Sequence, residues 1–388
     1  MKTLAALAVG LLLGVAPAFS ADSVKIGLTT TLTGPTGSLG QHIRDGAQLA
    51  VEKLGGKMNN VAVELIIRDD QGKPDVGRQV ADEIIKRENV NFIMGTTLSN
   101  VLLAVHPLAA SSKTIMFGGQ AGPSNLAGGD CSPYFFSVGV ETSTMGEAMG
   151  KVMADMKKDG VVLATPNYAG GRDLMVGFKR YFKGKVGKEI YTPLSQTDFQ
   201  TEITQIRVDN PPAVFAFYPG GLGIQFAKQY SQAGLNTKIP LFTVAFNETV
   251  LPAVGDAAIG NFDAANWSPY LDNAENKAFV AAFKAKYNYI PSEYAAVAYD
   301  TVNLINSAVK ATGGNLTDKP KLLDAVKKAD FKSVRGPFAF NTNQFPVQNW
   351  YLLKMTKQAD GSVGRVPERV ITEGHKDAFA SECKMAAP

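Results

Sequence analysis

The chain has 388 residues, 45% of them hydrophobic and 19% charged, a globular balance that excludes disordered, collagen-like and coiled-coil classes. At about 100–200 residues per domain, that length predicts two or three domains. Its 39 basic and 35 acidic residues leave a net charge of +4 that is spread rather than clustered, so the pI near 8.8 points to no nucleic-acid partner, and two cysteines with three histidines offer little for a metal site.

In chain order, Met1 and Lys2 precede an uncharged apolar run from Leu4 to Val15, followed by the small residues Ala16, Pro17, Ala18, Ser20 and Ala21 around Phe19. This pattern predicts a secretory signal peptide over residues 1–21, too short for a spanning helix, and a mature chain outside the cytoplasm. In that oxidising setting Cys131 and Cys383 are most simply one disulfide. A nucleophilic role is disfavoured, because neither cysteine sits where a helix N-terminus would activate it.

Short β-branched runs then alternate with helical periodicity. Val24–Leu28 reads as a strand, followed by the glycine-rich loop Thr33–Gly40 and a helix carrying Ile43, Ala47, Ala50, Val51 and Leu54. Val61–Asp70, Asn91–Met94 and Thr114–Phe117 are strands, separated by helices over Val76–Ile85 and Ser99–Ser111. The series restarts after Cys131, with helices at Met145–Met156, Leu174–Phe182, Phe199–Val208 and Gly223–Ala233 between strands at Val161–Ala164, Glu189–Thr192, Ala213–Tyr218 and Leu241–Val244. Helices at Asn276–Tyr287, Ala295–Thr312 and Lys319–Lys328 and extended segments at Gly336–Phe340 and Asn349–Met355 complete the chain. The pattern predicts an α/β fold of two doubly wound parallel-sheet lobes joined by a hinge of several crossings. The expected division is 22–141 with 270–342 for one lobe and 142–269 with 343–388 for the other. Hinged lobes trap a ligand between them.

In open α/β sheets ligands bind beyond the carboxyl ends of the strands, so the loops after strands carry the candidates. Gly95-Thr96-Thr97-Leu98-Ser99-Asn100 opens a helix, where Ser99 and the free backbone N–H groups suit a carboxylate; Ser99 serves equally well as a plain N-cap. Gly118-Gly119-Gln120-Ala121-Gly122 allows close backbone approach, or is a simple loop. Tyr168, in Asn167–Gly171, reaches a ligand from the second lobe or merely packs. Gly221-Leu222-Gly223 lacks the third glycine and the later acid of a dinucleotide site, so no cofactor is expected. His42, His106 and His375 match no metal spacing, and no Gly-x-Ser-x-Gly elbow is present.

Taken together, Ile26-Gly27 with Leu32-Thr33-Gly34-Pro35, Gly46–Val51, Asp69-Asp70 with Pro74, Gly95–Ser99, Asn167–Gly171 and Gly255–Gly260 form a specific series. In this order and spacing, the chain resembles the periplasmic solute-binding proteins of ABC transporters, leucine/isoleucine/valine-binding class, type I fold. The resemblance runs from Ile26 to Cys383, and the Cys131–Phe136 stretch with the Cys383-Lys384-Met385 ending is similar to the subgroup that carries aromatic carboxylates. It implies a carboxylate site at Ser99, Thr97, Asn100, Gln120 and Gly122, with glycine standing where amino-acid binders place a threonine. Glu141 is the implied candidate for meeting an ammonium, and Leu39, Tyr168, Tyr218 and Phe246 are the implied apolar walls. The expected protein is a monomeric, periplasmic importer component that traps an aromatic carboxylate, or else a branched-chain amino acid, and docks on a membrane permease. An enzyme on a similar fold would need an activated nucleophile, which no residue pair supplies. A ligand-sensing receptor domain would usually continue into a membrane segment.

Overall fold

The computed structural model describes residues 23–244 and 246–385; the expected signal peptide, residues 1–21, lies outside them. The first run of elements is β1 (Ser23–Thr30), α1 (Gly37–Lys53), β2 (Lys57–Met58), β3 (Val61–Asp69), α2 (Pro74–Lys86), β4 (Phe92–Gly95), α3 (Ser99–Ser111), β5 (Ile115–Gly118), α4 (Ser124–Ala127) and β6 (Phe135–Ser137). Its six-stranded sheet has the order β2-β3-β1-β4-β5-β6 and is parallel except for the short β2–β3 pair. Strands β4 to β6 are buried along their whole length, as expected of strands covered by helices on both faces.

The second run is α5 (Thr142–Asp155), β7 (Gly160–Pro166), α6 (Ala169–Tyr181), β8 (Lys185–Thr192), α7 (Gln200–Asp209), β9 (Val214–Ala216), α8 (Gly221–Gln232), β10 (Leu241–Thr243), α9 (Leu251–Val254) and β11 (Phe262–Ala265). After it come α10 (Ala274–Tyr287), α11 (Glu293–Ala311), α12 (Lys319–Lys328), β12 (Ala339–Phe340), β13 (Pro346–Lys357) and β14 (Val363–His375). The second sheet runs β12-β13-β11-β10-β9-β7-β8, with β13 antiparallel to β11 and β14 antiparallel to β13. The three late helices return to the first lobe. Val302, Ile305 and Val309 of α11 and Leu322, Leu323 and Val326 of α12 join the core around Val24, Ile26 and Leu28, while Phe279 and Phe283 of α10 pack with Leu49 of α1. Full burial of one such side chain stabilises by roughly 1.5–3 kcal/mol.

Three neighbouring crossings form the hinge between the lobes, after β6, after β11 and at β12–β13. Their backbones are tied together by side chains. Asn266 Nδ2 donates to Gly139 O and to Gln348 Oε1, each at 3.0 Å, and Arg335 Nη1 donates to the same Gln348 oxygen at 3.0 Å. After β14 the chain comes back once more. Phe379 packs with first-lobe apolar residues, and Cys383 is bonded to Cys131, their Cα atoms 5.6 Å apart.

Candidate functional site

Strand order reverses between β1 and β4 in the first sheet and between β7 and β9 in the second. Loops leaving adjacent strands in opposite directions open a crevice at such a switch point. The loops after β1, β4, β7 and β9 hold Leu39, Thr97, Ser99, Tyr168 and Tyr218 in or beside them, and the two sets face each other. A Cβ built on Gly170, in the first turn of α6, would lie 2.8 Å from Ser99 Oγ, and the N–H of Gly221 donates to Pro35 O at 2.8 Å. A groove of about 370 Å³ between the lobes is lined by Thr33, Pro35, Lys73, Leu98, Leu194 and Ser195.

Ser99 differs from one expectation. Leu98, with extended backbone, occupies the N-cap position, no side-chain capping bond forms there, and Ser99 is the first helical residue. Its buried hydroxyl is thereby turned from capping to the interlobe face, beside α6. Thr97 is committed within the first lobe: its hydroxyl pairs with that of Thr30 at 2.9 Å and accepts from Thr31 N at 2.9 Å. It supports the loop. Asn100 Oδ1 and Gln120 Oε1 are both buried without a hydrogen-bond partner, and either amide, turned over, presents its NH2 donors to an anion. Gln120 lines a small void with Gly119, Phe117 and Tyr294. Gly122 admits no side chain, because a Cβ there would lie 1.8 Å from Val140 O; its N–H donates to Thr142 Oγ1 at 3.2 Å.

Glu141 is the N-cap of α5. Its two oxygens accept from Ser143 N at 2.9 Å and Ser143 Oγ at 2.6 Å, and burial pushes its carboxyl well above the ordinary range, helped by Asp173 and Asp377 nearby. The side chain is therefore used within α5. Tyr168, the N-cap residue of α6, packs against apolar residues of both lobes and stacks on Phe217. Leu39 belongs to the first-lobe core and lies against Gly220 of the other lobe. Tyr218 and Phe246 sit in the second-lobe core, Tyr218 stacked on Phe226 with ring centroids 4.7 Å apart.

Sequence reasoning missed the start of α11. It placed the helix at Ala295, whereas Ser292 is the N-cap and Glu293 and Tyr294 the first helical residues. A serine followed by an acid in the first turn was the available signal. Tyr294 is buried at the void beside Gln120 with Tyr168 and Arg365 close by, and burial drives its hydroxyl well above its ordinary value. Glu293 reaches across to the second lobe, where Arg365 Nη2 donates to it at 2.6 Å and Asn247 Nδ2 at 2.7 Å. Arg365, wholly buried on β14, also binds Glu248 and Asp263, each at 2.8 Å.

Among the described residues no group of three or more His, Cys, Asp or Glu side chains is placed to hold a metal ion, and no helix is long and apolar enough to cross a membrane. His42 accepts from Ser292 N, and burial lowers its ring to about 4. His375 pairs with Glu147 at 2.7 Å. The arrangement can enclose a small molecule between two helix N-termini and two aromatic hydroxyls.

Known proteins share this construction. A solute-binding protein of an ABC transporter from R. palustris, solved in complex with benzoate, superposes with a TM-score of 0.88 at 30% identity over 93% of this chain and 99% of that one. Another from Rhodopseudomonas palustris BisB5, in complex with 3,4-dihydroxybenzoic acid, gives 0.87 at 31% identity over 92% and 99%. A Leu/Ile/Val-binding protein homologue of Brucella melitensis is 30% identical over 93% of this chain and 95% of its own. A family model described as periplasmic binding protein matches residues 23–361, and this chain therefore belongs to the periplasmic binding protein family.

Proposed function

We propose that the protein is the extracytoplasmic substrate-binding component of an ABC importer and that it encloses an aromatic carboxylate between its lobes. The carboxylate would lie against Ser99 and the backbone N–H groups opening α3, with Gln120 near it and Tyr168 and Tyr294 closing over the ring. One observation carries the choice of ligand class. Glu141, the acid that the resemblance offers to an ammonium, has both carboxylate oxygens taken by Ser143 at the start of α5. A buried ammonium without a carboxylate partner costs several kcal/mol, so an acid lacking that group suits the cleft better. The benzoate and dihydroxybenzoate complexes of the R. palustris proteins support the same reading. The Brucella relative's description favours a branched-chain amino acid as the second reading.

Export through residues 1–21 to the periplasm, action as a monomer, and docking on a permease complete the proposal. So does a lobe division at 22–141 with 270–342 against 142–269 with 343–388, refined by the return of the last residues to the first lobe. The test is a thermal-shift and calorimetric comparison of benzoate, hydroxybenzoates, leucine and isoleucine. A cognate ligand at 100 times its Kd stabilises by about 2.7 kcal/mol. Stabilisation by the benzoates alone is the expected result. Stabilisation by leucine alone transfers the assignment to the amino-acid class.

A further inference from the structure

Beyond the groups around the ligand, the lobes meet through a clasp that touches none of them. Asp173, on the second turn of α6, accepts from Ser124 N at 2.9 Å and from Ser124 Oγ at 2.8 Å, and Ser124 opens α4 on the other lobe. We propose that the Ser124–Asp173 pair is a closure clasp, a positioning contact that sets ligand affinity by stabilising the closed form. This rests on the reading of the protein as a two-lobed ligand trap.

Several features support it. The two residues are 49 positions apart and lie on helices of different lobes, so hinge opening must break both bonds. Tyr168, Gly170 and Asp173 all lie within the first two turns at one end of α6, which places the clasp about one turn beyond the groups facing Ser99. A half-buried carboxylate taking two hydrogen bonds in a bidentate fashion makes a charge-assisted contact, stronger than a neutral one. Burial pushes the Asp173 carboxyl up, and the Ser124 N–H and O–H are what hold it down. The charged form is therefore best accommodated when Ser124 is in place; with the lobes apart, water takes over. A second contact of the same kind, Gly221 N to Pro35 O, joins backbone to backbone and is independent of side chains.

A ligand that binds the closed form is weakened by the fraction of closed protein lost. Removing hydrogen bonds to a charged group is worth about a tenfold change. The experiment measures Kd and dissociation rate by calorimetry and stopped flow, the melting midpoint without ligand, and the radius of gyration by small-angle scattering, for wild type, Ser124→Ala, Asp173→Asn and Asp173→Ala. The expected result is an unchanged ligand-free midpoint, a Kd raised about tenfold in Asp173→Ala and less in the two milder variants, and the loss carried by faster dissociation. A Kd unchanged in all three variants overturns the clasp while leaving the ligand trap standing. So does a loss of affinity matched by a lower ligand-free midpoint, which marks a purely structural role. A wild-type chain that neither binds any acid or amino acid of the panel nor contracts with it overturns the trap and the clasp together.

Discussion

Arg365 holds more negative charge than it can neutralise. One guanidinium, wholly buried, faces Glu248, Asp263 and Glu293. Burial raises Asp263 from 3.8 to about 6, further than Arg365 pulls it down, and raises Glu248 as well. A carboxyl raised above its unfolded value binds more protons folded than unfolded, so its contribution is fully present below about 4 and is lost as pH rises through about 6. The displacement of Asp263 corresponds to roughly 3 kcal/mol. Melting curves at pH 5 and pH 7 should therefore show the wild type more stable at pH 5, with the difference reduced in Asp263→Asn; an equal difference in both proteins removes this residue from the account. Ser99 offers a second prediction at this scale. Its hydroxyl makes no cap, so Ser99→Ala should leave the fold intact and weaken carboxylate binding about tenfold, read by calorimetry.

At the scale of elements, α5 and α6 cross so closely that a Cβ at Gly146 would lie 1.9 Å from Leu174 O. That contact positions α6, and with it Tyr168 and Asp173, over the first lobe. Alanine is the better helix former in isolation by about 1 kcal/mol, but overpacking against backbone costs about 1–3 kcal/mol or more. Gly146→Ala should lower the urea midpoint and, by displacing α6, raise the ligand Kd. A midpoint that rises instead would mean that the helices separate without penalty.

The whole molecule is closed by its own tail. The disulfide Cys131–Cys383 spans 252 residues and ties the segment after β14 to the first lobe, so cutting it frees a loop worth about 5 kcal/mol in a chain-entropy account. Serine at either cysteine, or at both, should lower the melting midpoint by the same amount, because each breaks the same bond. Different losses in the two single variants would point to a packing role for one cysteine apart from the link.

Periodicity, loop chemistry and the order of short motifs determined the α/β class, the two doubly wound halves and the family. These are local properties: strands buried on both faces read as apolar runs, and helices show their stripe in the sequence itself. The loops at Ser99 and Tyr168 were legible for the same reason, since both lie where a strand ends and a helix begins. What each side chain does there was decided only by the fold. Ser99 is released from capping because Leu98 takes the extended turn. Glu141 is drawn into α5 by Ser143, and Tyr218 and Phe246 are enclosed in a core. Arg365, Glu293 and Asp173 bond partners 46 to 117 residues away along the chain, and neither hydrophobic period nor turn preference carries information across that distance. Strand order and hinge crossing bring them together, and those are properties of the packed lobes.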